Sequence, residues 1–370
     1  MLAPSLILAA SWAEAAPSIS LVVERYPIDP ILDFLDGSSA WEFSYNPAFL
    51  PGHKASPAVP DGLFVRVQNG SAAPAGSCGP PASASFVAFA AFSDGIHVQR
   101  LSNRVLFKPE MTPWEQTAED PRVVYDAAHG RWIMTYTANG LVTEGSKPPM
   151  NQHQGIATSR DPLSGSKNAW VRHCSAASPC LEPGLKSGAM LLRDTAPHYM
   201  FVYDLRKNCP TNPGSVCRHT TVATSPDALR WSLTNQTLLP RRPGMWDAGL
   251  IEPGPPPLQL ANGNYLFFYN GATLPNDRQY HVGWAVLAAA DPSKVLQRSA
   301  APLLSWTDRS WMVGNDSRTL CYTPTVVFCN GARALGGDRY ELYFGGADAV
   351  VGSAVVGVDK WRTNRSMDDH

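Results

Sequence analysis

The tetrapeptide Glu119-Asp120-Pro121-Arg122 offers the clearest chemistry in the sequence, because it places two carboxylates beside a guanidinium, just before a strand-like run at 132–137. A residue before proline is displaced from the helical region, so Asp120 is expected to lie extended at a turn with its side chain free. An aspartate held beside an arginine and a second acid could donate or accept a proton. Asp-Pro pairs are also common turn signals, in which case Asp120 would only pair with Arg122.

Further polar residues occur in short motifs along the chain. The motifs are Tyr45-Asn46-Pro47-Ala48, the strand-like stretch that ends at Arg66, Trp246-Asp247, Tyr280-His281-Val282-Gly283, Asp291-Pro292-Ser293-Lys294-Val295 and Gly345-Gly346-Ala347-Asp348. Together with the tetrapeptide, and in this order, they resemble glycoside hydrolase family 130, whose members split or phosphorolyse β-mannosides. The resemblance extends from about residue 45 to about residue 356, so it covers most of the chain.

The resemblance implies roles for several of these residues. Asp120 matches the catalytic acid of the family, which passes its proton through a sugar hydroxyl. Asn46 and Arg66 match positions that hold the mannosyl hydroxyls, and an arginine suits this role because its fixed fork of donors can grip neighbouring hydroxyls. Asp348 matches another sugar-binding acid. The full expected substrate-binding set is Asn46, Arg66, Arg122, Asp247 and Asp348.

Hydrolysis with inversion also needs a base that activates water, at about 6.5–9.5 Å from the acid. Glu252 lies in the segment Leu250–Pro256, where many phosphorolytic members of the family have a glycine, and it is the predicted base. A loop rich in proline and glycine would hold this carboxylate at a pocket wall by the stiffness of its backbone. The alternative is that Glu252 is a solvent-exposed loop acid.

The residues that bind phosphate in phosphorolytic members are replaced in this sequence. Asn270 stands in place of a histidine, and Asp204 stands in place of a basic residue. An Arg-Asn pair is replaced by Lys186-Ser187, which leaves Lys186 as one candidate anion contact. A phosphate dianion needs several cations or oriented amides. The sequence therefore favours hydrolysis over phosphorolysis.

The composition excludes several classes of function. The chain has 370 residues, a net charge of −1 and 16% charged residues, with acids and bases scattered along it. No basic stripe indicates a nucleic-acid partner. Beyond the N-terminal segment, no stretch approaches the ~18 apolar residues of a membrane span. No Cys-x-x-Cys or His-x-x-x-His spacing suggests zinc, so neither a metal nor a cofactor is expected.

A repeat of 66 residues indicates the fold. Small apolar residues lead into Ser93, Ser159 and Ser225, which are 66 residues apart both times, and a further step of 66 reaches Asp291. A fixed period of this size in a strand-rich chain is typical of a propeller or an array. The chain length gives about five such units. We therefore predict an all-β, five-bladed β-propeller as a single domain over residues 17–370, which is also the fold of the family that the motifs resemble.

Three features predict export. Residues 1–16 resemble a secretory signal, with an apolar core and a small-residue step at Ala15 or Ala16, although no Lys or Arg precedes the apolar run. Six of the seven cysteines fall into local pairs that an oxidising compartment could bridge. The predicted pairs are Cys174–Cys180, Cys209–Cys217 and Cys321–Cys329, with Cys78 left over. Glycosylation sequons begin at Asn69, Asn235, Asn315 and Asn364.

The prediction from sequence is an exported, inverting and metal-independent glycoside hydrolase that acts on β-mannosides or manno-oligosaccharides. Two alternatives stay open. One is a β-mannoside phosphorylase that releases mannose 1-phosphate, and the other is a sugar-binding propeller without catalytic activity. The linkage, the aglycone, the substrate length and the oligomeric state are not predicted.

Overall fold

The structure is a computed structural model that describes residues 18–54, 58–69, 84–93, 97–140, 152–209, 212–273, 279–314 and 323–362. Five antiparallel sheets form the blades of a ring, and the fold is a five-bladed β-propeller, as the repeat predicted. A first strand, β1 (Ser18–Arg25), belongs to the last blade. Within the described ranges, no helix has the length and apolar character that crossing a membrane requires.

The first two blades each contain four strands, which follow one another from the centre of the ring outwards. Blade 1 contains β2 (Phe43–Leu50), β3 (Gly62–Gln68), β4 (Phe86–Ala91) and β5 (Val105–Phe107). Blade 2 contains β6 (Thr117–Asp126), β7 (Arg131–Asn139), β8 (Gln152–Ser159) and β9 (Val171–Arg172). The inner strands are almost entirely buried, whereas the outer strands are partly exposed.

Blades 3 and 4 carry additions to the same pattern. Blade 3 contains β10 (Leu185–Leu191), β11 (His198–Asp204), the inserted hairpin β12 (Lys207–Cys209) and β13 (Asn212–Val216), then β14 (His219–Ser225) and β15 (Ser232–Leu239). Blade 4 contains β16 (Leu250–Pro253), β17 (Leu258–Gln259), β18 (Tyr265–Ala272), β19 (Tyr280–Leu287), β20 (Val295–Arg298) and β21 (Leu304–Ser305). Strands β16 and β17 both pair with β18, so the innermost edge of this blade is interrupted.

The last blade closes the ring by combining the two ends of the described chain. A 3₁₀ helix (Trp306–Asp308) and the helix α1 (Ser310–Val313) lead to β22 (Val327–Gly336), β23 (Arg339–Gly346) and β24 (Val350–Arg362). Strand β1 pairs with β24 as the outermost strand of this blade. The backbone of Ile19 also forms two hydrogen bonds with the side-chain amide of Gln297 in blade 4. The Ile19 N–H donates to Gln297 Oε1 at 2.8 Å, and Gln297 Nε2 donates to the Ile19 carbonyl at 2.7 Å. The N-terminal strand therefore joins the first and last parts of the chain.

The 66-residue repeat marks one position in each of the first four blades. Ser159 and Ser225 are the last residues of β8 and β14, while Ser93 and Asp291 follow shortly after β4 and β19. The strands β4, β8, β14 and β19 are each the third strand of their blade. The sequence period is therefore the length of one blade, measured at the end of its third strand.

Two of the three predicted disulfides are at bonding distance. Cys174–Cys180 and Cys209–Cys217 have Cα separations of 5.1 and 4.8 Å, within the range of about 4.4–6.8 Å for such bridges. The third prediction is wrong, because Cys329 is a free thiol buried on β22. Cys321 and Cys78, like residues 1–17, lie outside the described residues. Proximity in sequence therefore assigned a disulfide partner to a cysteine that is free within an inner strand.

The closing strand gives a direct test of the ring. Ile19 is 4% exposed and packs into the core of blade 5. We expect Ile19→Ala to lower the free energy of unfolding by about 2–4 kcal/mol, because it leaves a cavity in that core. The matched control is Val22→Ala on the same strand, since Val22 is 43% exposed and its loss should cost less than about 0.5 kcal/mol. Equal losses in urea denaturation would contradict closure through β1.

Candidate active site

The innermost strand of every blade places a polar residue, followed by proline or glycine, at the centre of the ring. These pairs are Asn46-Pro47 on β2, Asp120-Pro121 on β6, Ser187-Gly188 on β10, Glu252-Pro253 on β16 and Asn330-Gly331 on β22. All five polar residues are buried. The inner strands contact one another around the axis. Residues that are far apart in sequence therefore meet at one place.

Three of these residues occupy β-bulges with unusual backbone conformations. Asn46, Asp120 and Ser187 have φ angles of 46°, 51° and 58°, and the strand register shifts at each of them. Positive φ in a residue other than glycine costs about 1–3 kcal/mol and persists only where the surroundings enforce it. The prediction of an extended Asp120 at a turn before a strand is wrong, since this residue lies inside β6. The bulge aims its carboxylate at the neighbouring blade.

The Asp120 carboxylate is held by residues of blade 1. Its Oδ1 accepts hydrogen bonds from Asn46 Nδ2 at 2.8 Å and from Arg66 Nη1 at 3.0 Å. Burial raises the pKa of Asp120, but Arg66, Lys186 and the Asn46 bond lower it, and the net effect is a pKa below the ordinary value. Asp120 is therefore ionised in the free site at neutral pH.

Arg66 is the cation that collects the acids on this side of the ring. Its Nη2 lies 3.0 Å from Glu119 Oε1, and its Nε donates to Ser85 at 2.9 Å. Burial lowers the pKa of Arg66, whereas Glu119, Asp120 and Asp348 raise it, and the net shift is upward. The structure thus brings Asn46, Arg66 and Asp120 into contact, and Asp348 acts electrostatically on Arg66. The positions of these residues do not by themselves assign roles in binding or catalysis.

Glu252 faces the same centre from blade 4. It lies on β16 rather than in a loop and is 1% exposed, so the alternative of a solvent-exposed acid does not fit the structure. Its Oε1 lies 2.7 Å from Lys186 Nζ and also accepts a hydrogen bond from Ser187 Oγ. Burial lowers the pKa of Lys186, but Glu252 and Asp120 raise it, and the net shift is upward. Lys186 therefore acts electrostatically on both carboxylates.

Two tyrosines adjoin these carboxylates and were not assigned a role from the sequence. Burial raises the pKa of Tyr280, and Glu252, Tyr203, Asp348 and Asp120 raise it further. Tyr280 is partly exposed at the start of β19, within one of the sequence motifs. Lys186 Nζ lies 5.7 Å from the centre of the Tyr203 ring. Both tyrosines therefore interact electrostatically with the charged residues of the central site.

Arg122 is placed differently from the prediction. Its Nε and Nη2 donate to the main-chain carbonyls of Gly254 and Pro253 at 2.7 and 2.6 Å, and its Nη1 donates to the carbonyl of Asp120 at 3.0 Å. The side chain is 1% exposed and connects β6 to the segment that follows Glu252. The guanidinium is committed to backbone carbonyls, which leaves its predicted contact with substrate without support. It instead holds the backbone of Asp120 against the Pro253-Gly254 backbone that follows Glu252.

Asp247 also lies apart from this cluster. Arg242 and Arg298 donate to its carboxylate at 2.7 and 2.6 Å, and the Tyr269 hydroxyl donates at 3.0 Å. The Asp247 residue has no exposed surface. All of these contacts lie within blade 4 and the segment that leads into it. The predicted substrate contact of Asp247 is therefore unsupported by its position.

The two replaced phosphate positions have structural partners. Asn270 is buried and exchanges hydrogen bonds with the backbone of Cys329, donating to its carbonyl at 3.1 Å and accepting from its N–H at 2.8 Å. It thereby joins blades 4 and 5. Asp204 pairs with Arg206 at 2.8 Å, so its charge is neutralised locally. Asp204 therefore does not present an unpaired negative charge to an anion.

Metal ligation has weak support in the described part of the chain. The one grouping of three metal-type ligands there is Cys209, Cys217 and His219, whose ligand atoms lie within 4.8 Å of one another. The two cysteines form a disulfide, and a disulfide sulfur is not the thiolate that binds metal.

Comparison with protein families places these residues in context. A family model named Glyco_hydro_130, described as beta-1,4-mannooligosaccharide phosphorylase, matches residues 81–362. A 1,2-beta-oligomannan phosphorylase from Thermoanaerobacter sp. strain X514 is 30% identical over 135 residues, which are 36% of this chain and 42% of that protein. The match thus spans less than half the length of this curated relative.

Solved structures extend the similarity to nearly the whole chain. Beta-1,2-mannobiose phosphorylase from Listeria innocua superposes with a TM-score of 0.67 at 19% identity, covering 91% of this chain and 96% of that one. Another solved structure superposes with a TM-score of 0.63 at 22% identity, covering 97% of this chain and 99% of that one. Its description states that the GH130 family of mannoside phosphorylases contains glycoside hydrolases that target beta-1,2 mannosidic linkages in Candida mannan. At these identities the likeness supports the fold alone.

The pairing of Asp120 with Arg66 predicts a pH-dependent loss of stability. We expect Arg66→Gln to lower the free energy of unfolding by about 3–5 kcal/mol at neutral pH, because a buried carboxylate loses its nearest cation. The variant loses the strongest influence that lowers the pKa of Asp120, so this pKa rises. As the pH falls through that raised pKa, Asp120 becomes neutral and the difference from wild type should shrink.

Urea denaturation between pH 4 and 8 measures this difference. The matched control is Lys294→Gln, which removes an exposed pair with Asp291 at 3.9 Å and should cost at most about 1 kcal/mol. A second control, Arg66→Gln combined with Asp120→Asn, should recover part of the loss. A large loss that stays constant with pH would contradict the assigned pairing.

Proposed function

Because the chain belongs to glycoside hydrolase family 130, we propose that it is an enzyme that cleaves β-mannosides, with Asp120 as the proton donor. The support is the position of Asp120 at the centre of the ring, held by Asn46 and Arg66. An Asp that is ionised in the free site has to gain a proton before it can act as an acid. A bound sugar excludes water from the carboxylate, and this desolvation raises a carboxyl pKa.

The mannosyl group could be transferred either to phosphate or to water. Taken alone, the comparisons favour phosphate over water. The family model and the Thermoanaerobacter protein both carry the name phosphorylase, as does the solved structure from Listeria innocua. Phosphorolysis is thus the alternative that the relatives support better than hydrolysis.

The charges of the central site favour water, and we propose hydrolysis with Glu252 as the general base. The observation that carries this proposal is the Lys186–Glu252 pair at 2.7 Å. Lys186 is the predicted anion contact, and a carboxylate of the protein already occupies it. A phosphate dianion would have to displace Glu252 or bind beside its negative charge. A water molecule meets no such repulsion, and a carboxylate is the group that can activate it.

The balance of charge supports the same choice. The described cluster contains four carboxylates, which belong to Glu119, Asp120, Glu252 and Asp348. It contains three cations, which belong to Arg66, Arg122 and Lys186. Each of these cations is already bonded to a carboxylate or to main-chain carbonyls. Among the described residues, the cluster thus offers no excess of positive charge for a dianion.

Phosphorolysis is kept as the second candidate because two further arginines lie close by. Arg218 and Arg241 both lower the pKa of Tyr203, whereas burial and Glu252 raise it. The Arg218 carbonyl also accepts a hydrogen bond from Ile251 N at 3.1 Å, one residue before Glu252. These arginines could contribute charge to a phosphate site. They are the residues to substitute if phosphate proves to be the acceptor.

We also propose that the protein is exported, as the N-terminal sequence and the cysteines predicted. The support is the disulfide distance within two cysteine pairs, since such bridges persist mainly in oxidising compartments. Expression in a secretory host, followed by N-terminal sequencing of the medium fraction, tests this proposal. Secreted protein should begin near residue 16 or 17, whereas retention of an intact Met1 inside the cell would contradict it.

Removal of either carboxylate should stop hydrolysis without preventing ligand binding. We expect Asp120→Asn and Glu252→Gln to lower mannose release from mannobioses or mannan by about 10²–10⁴-fold, which is the usual contribution of a general acid or base. Mannobiose affinity by calorimetry should change much less. The matched control is Asp161→Asn, an exposed acid outside the site, which should keep full activity.

A smaller side chain at the base position sharpens this test. Glu252→Gly removes the base, and azide, which needs no deprotonation, should restore cleavage by forming a bond from its nitrogen to C1 while the leaving oxygen takes a proton. The product would be mannosyl azide. Activity of Glu252→Gln equal to wild type would eliminate Glu252 as the base. Tight binding with no turnover in wild type would instead indicate a non-catalytic sugar-binding propeller.

A further inference from the structure

We propose that Ser187 is a positioning residue that, together with Lys186, fixes one oxygen of Glu252 and leaves the other for the reacting water. This inference rests on the proposed role of Glu252 as the base. Both donors bond to the same atom, Oε1. Among the described residues, none forms a hydrogen bond with Oε2, and the shortest contact of Lys186 is to Oε1. The carboxylate is therefore held by one oxygen and keeps the second oxygen as its basic atom.

The bulge in β10 is what allows two consecutive residues to reach one carboxylate. In a regular strand, the side chains of neighbouring residues point to opposite faces. The register of β10 shifts between Lys186 and Ala189, and Ser187 within the shift has a φ of 58°. A bulge re-aims a side chain in this way. Lys186 and Ser187 can therefore both point at Glu252 on the next blade.

Blade 2 holds the bulge from its other side. The N–H of Gly188 donates to Gln154 Oε1 at 2.7 Å, and the Gly188 carbonyl accepts from Thr135 Oγ1 at 2.6 Å. A Cβ at position 188 would lie 2.5 Å from Met200 Sδ and 2.7 Å from Gln154 Oε1, so only glycine fits there without a shift. The backbone that carries Ser187 is thus fixed by blade 2 while its hydroxyl points to blade 4.

The two donors differ in what they supply. Lys186 supplies the positive charge that balances Glu252, and its field also reaches Asp120. Ser187 has no charge and no exposed surface, and its short side chain leaves few other orientations. Its contribution is therefore directional. Loss of this hydroxyl should leave the charge of Glu252 in place but free the carboxylate to turn about its own axis.

The test compares two substitutions of Ser187 that separate the hydroxyl from the backbone. Ser187→Gly removes the hydroxyl and relieves the strain of a positive φ, whereas Ser187→Ala removes the hydroxyl and keeps that strain. We expect kcat for mannoside hydrolysis to fall about 10- to 100-fold in both variants, the usual effect of losing a hydrogen bond to a charged group, with KM changed less than about threefold. Melting temperatures measured in parallel report the backbone effect, and Ser187→Ala should melt at a lower temperature than Ser187→Gly.

Controls keep this inference distinct from the proposed function. Ser39→Ala removes a buried serine that bonds to Trp41 and Ser44 outside the site, and it should keep the wild-type kcat. Azide should not restore Ser187→Gly, because its base is present but poorly aimed, whereas it should restore Glu252→Gly. If Ser187→Gly matches wild-type kcat while wild type hydrolyses mannosides, the positioning role is wrong and the hydrolase stands. If wild type requires phosphate, the proposed function itself fails.

Discussion

Every charge that the propeller buries at its centre needs a partner, and this requirement organises the site. An unpaired carboxylate in such a place would cost several kcal/mol. Asp120 is paired with Arg66, Glu252 is paired with Lys186, and Arg122 is bonded to carbonyls between them. The partners come from neighbouring blades, so the charges can be paired only when these blades pack against each other. The backbone strain at the bulges persists because these interactions enforce it.

The same pairing gives two carboxylates different environments, which is how one site can hold both an acid and a base. Asp120 is bound through Oδ1 by an amide and a guanidinium of blade 1. Glu252 is bound through Oε1 by a hydroxyl and an ammonium of blade 3. Since Lys186 is engaged by Glu252, the group that could have received phosphate instead helps to hold the proposed base. Local charge thus favours water as the acceptor, although the names of the relatives favour phosphate.

The sequence predicted the fold and much of the cluster, but not the contacts that position it. The 66-residue period falls at or shortly after the end of the third strand in the first four blades, and the motifs included Asn46, Arg66 and Asp120, which contact one another in the structure. The proline after Asp120 predicted an extended turn. The structure has a bulge there instead, because the bulge depends on contacts with other blades, which no local sequence pattern encodes. Contacts between blades also explain why Arg122 and Cys329 are placed differently from the predictions. Arg122 binds main-chain carbonyls of another blade rather than an open substrate site, and Cys329 is a free thiol rather than part of a disulfide. Ser187 and Asn330 were detectable in principle, since each precedes glycine at the position where the other blades have a polar residue before proline.

The identity of the acceptor is the central claim, and one labelling experiment measures it directly. The wild-type protein would be incubated briefly with β-1,2- or β-1,4-mannobiose and an excess of phosphate in H₂¹⁸O, and the products analysed by mass spectrometry and ³¹P NMR. Hydrolysis with Glu252 as the base predicts mannose that carries ¹⁸O at C1, formed at the same rate with or without phosphate. Unlabelled mannose 1-phosphate, formed only when phosphate is present, would contradict the account and assign the enzyme as a phosphorylase.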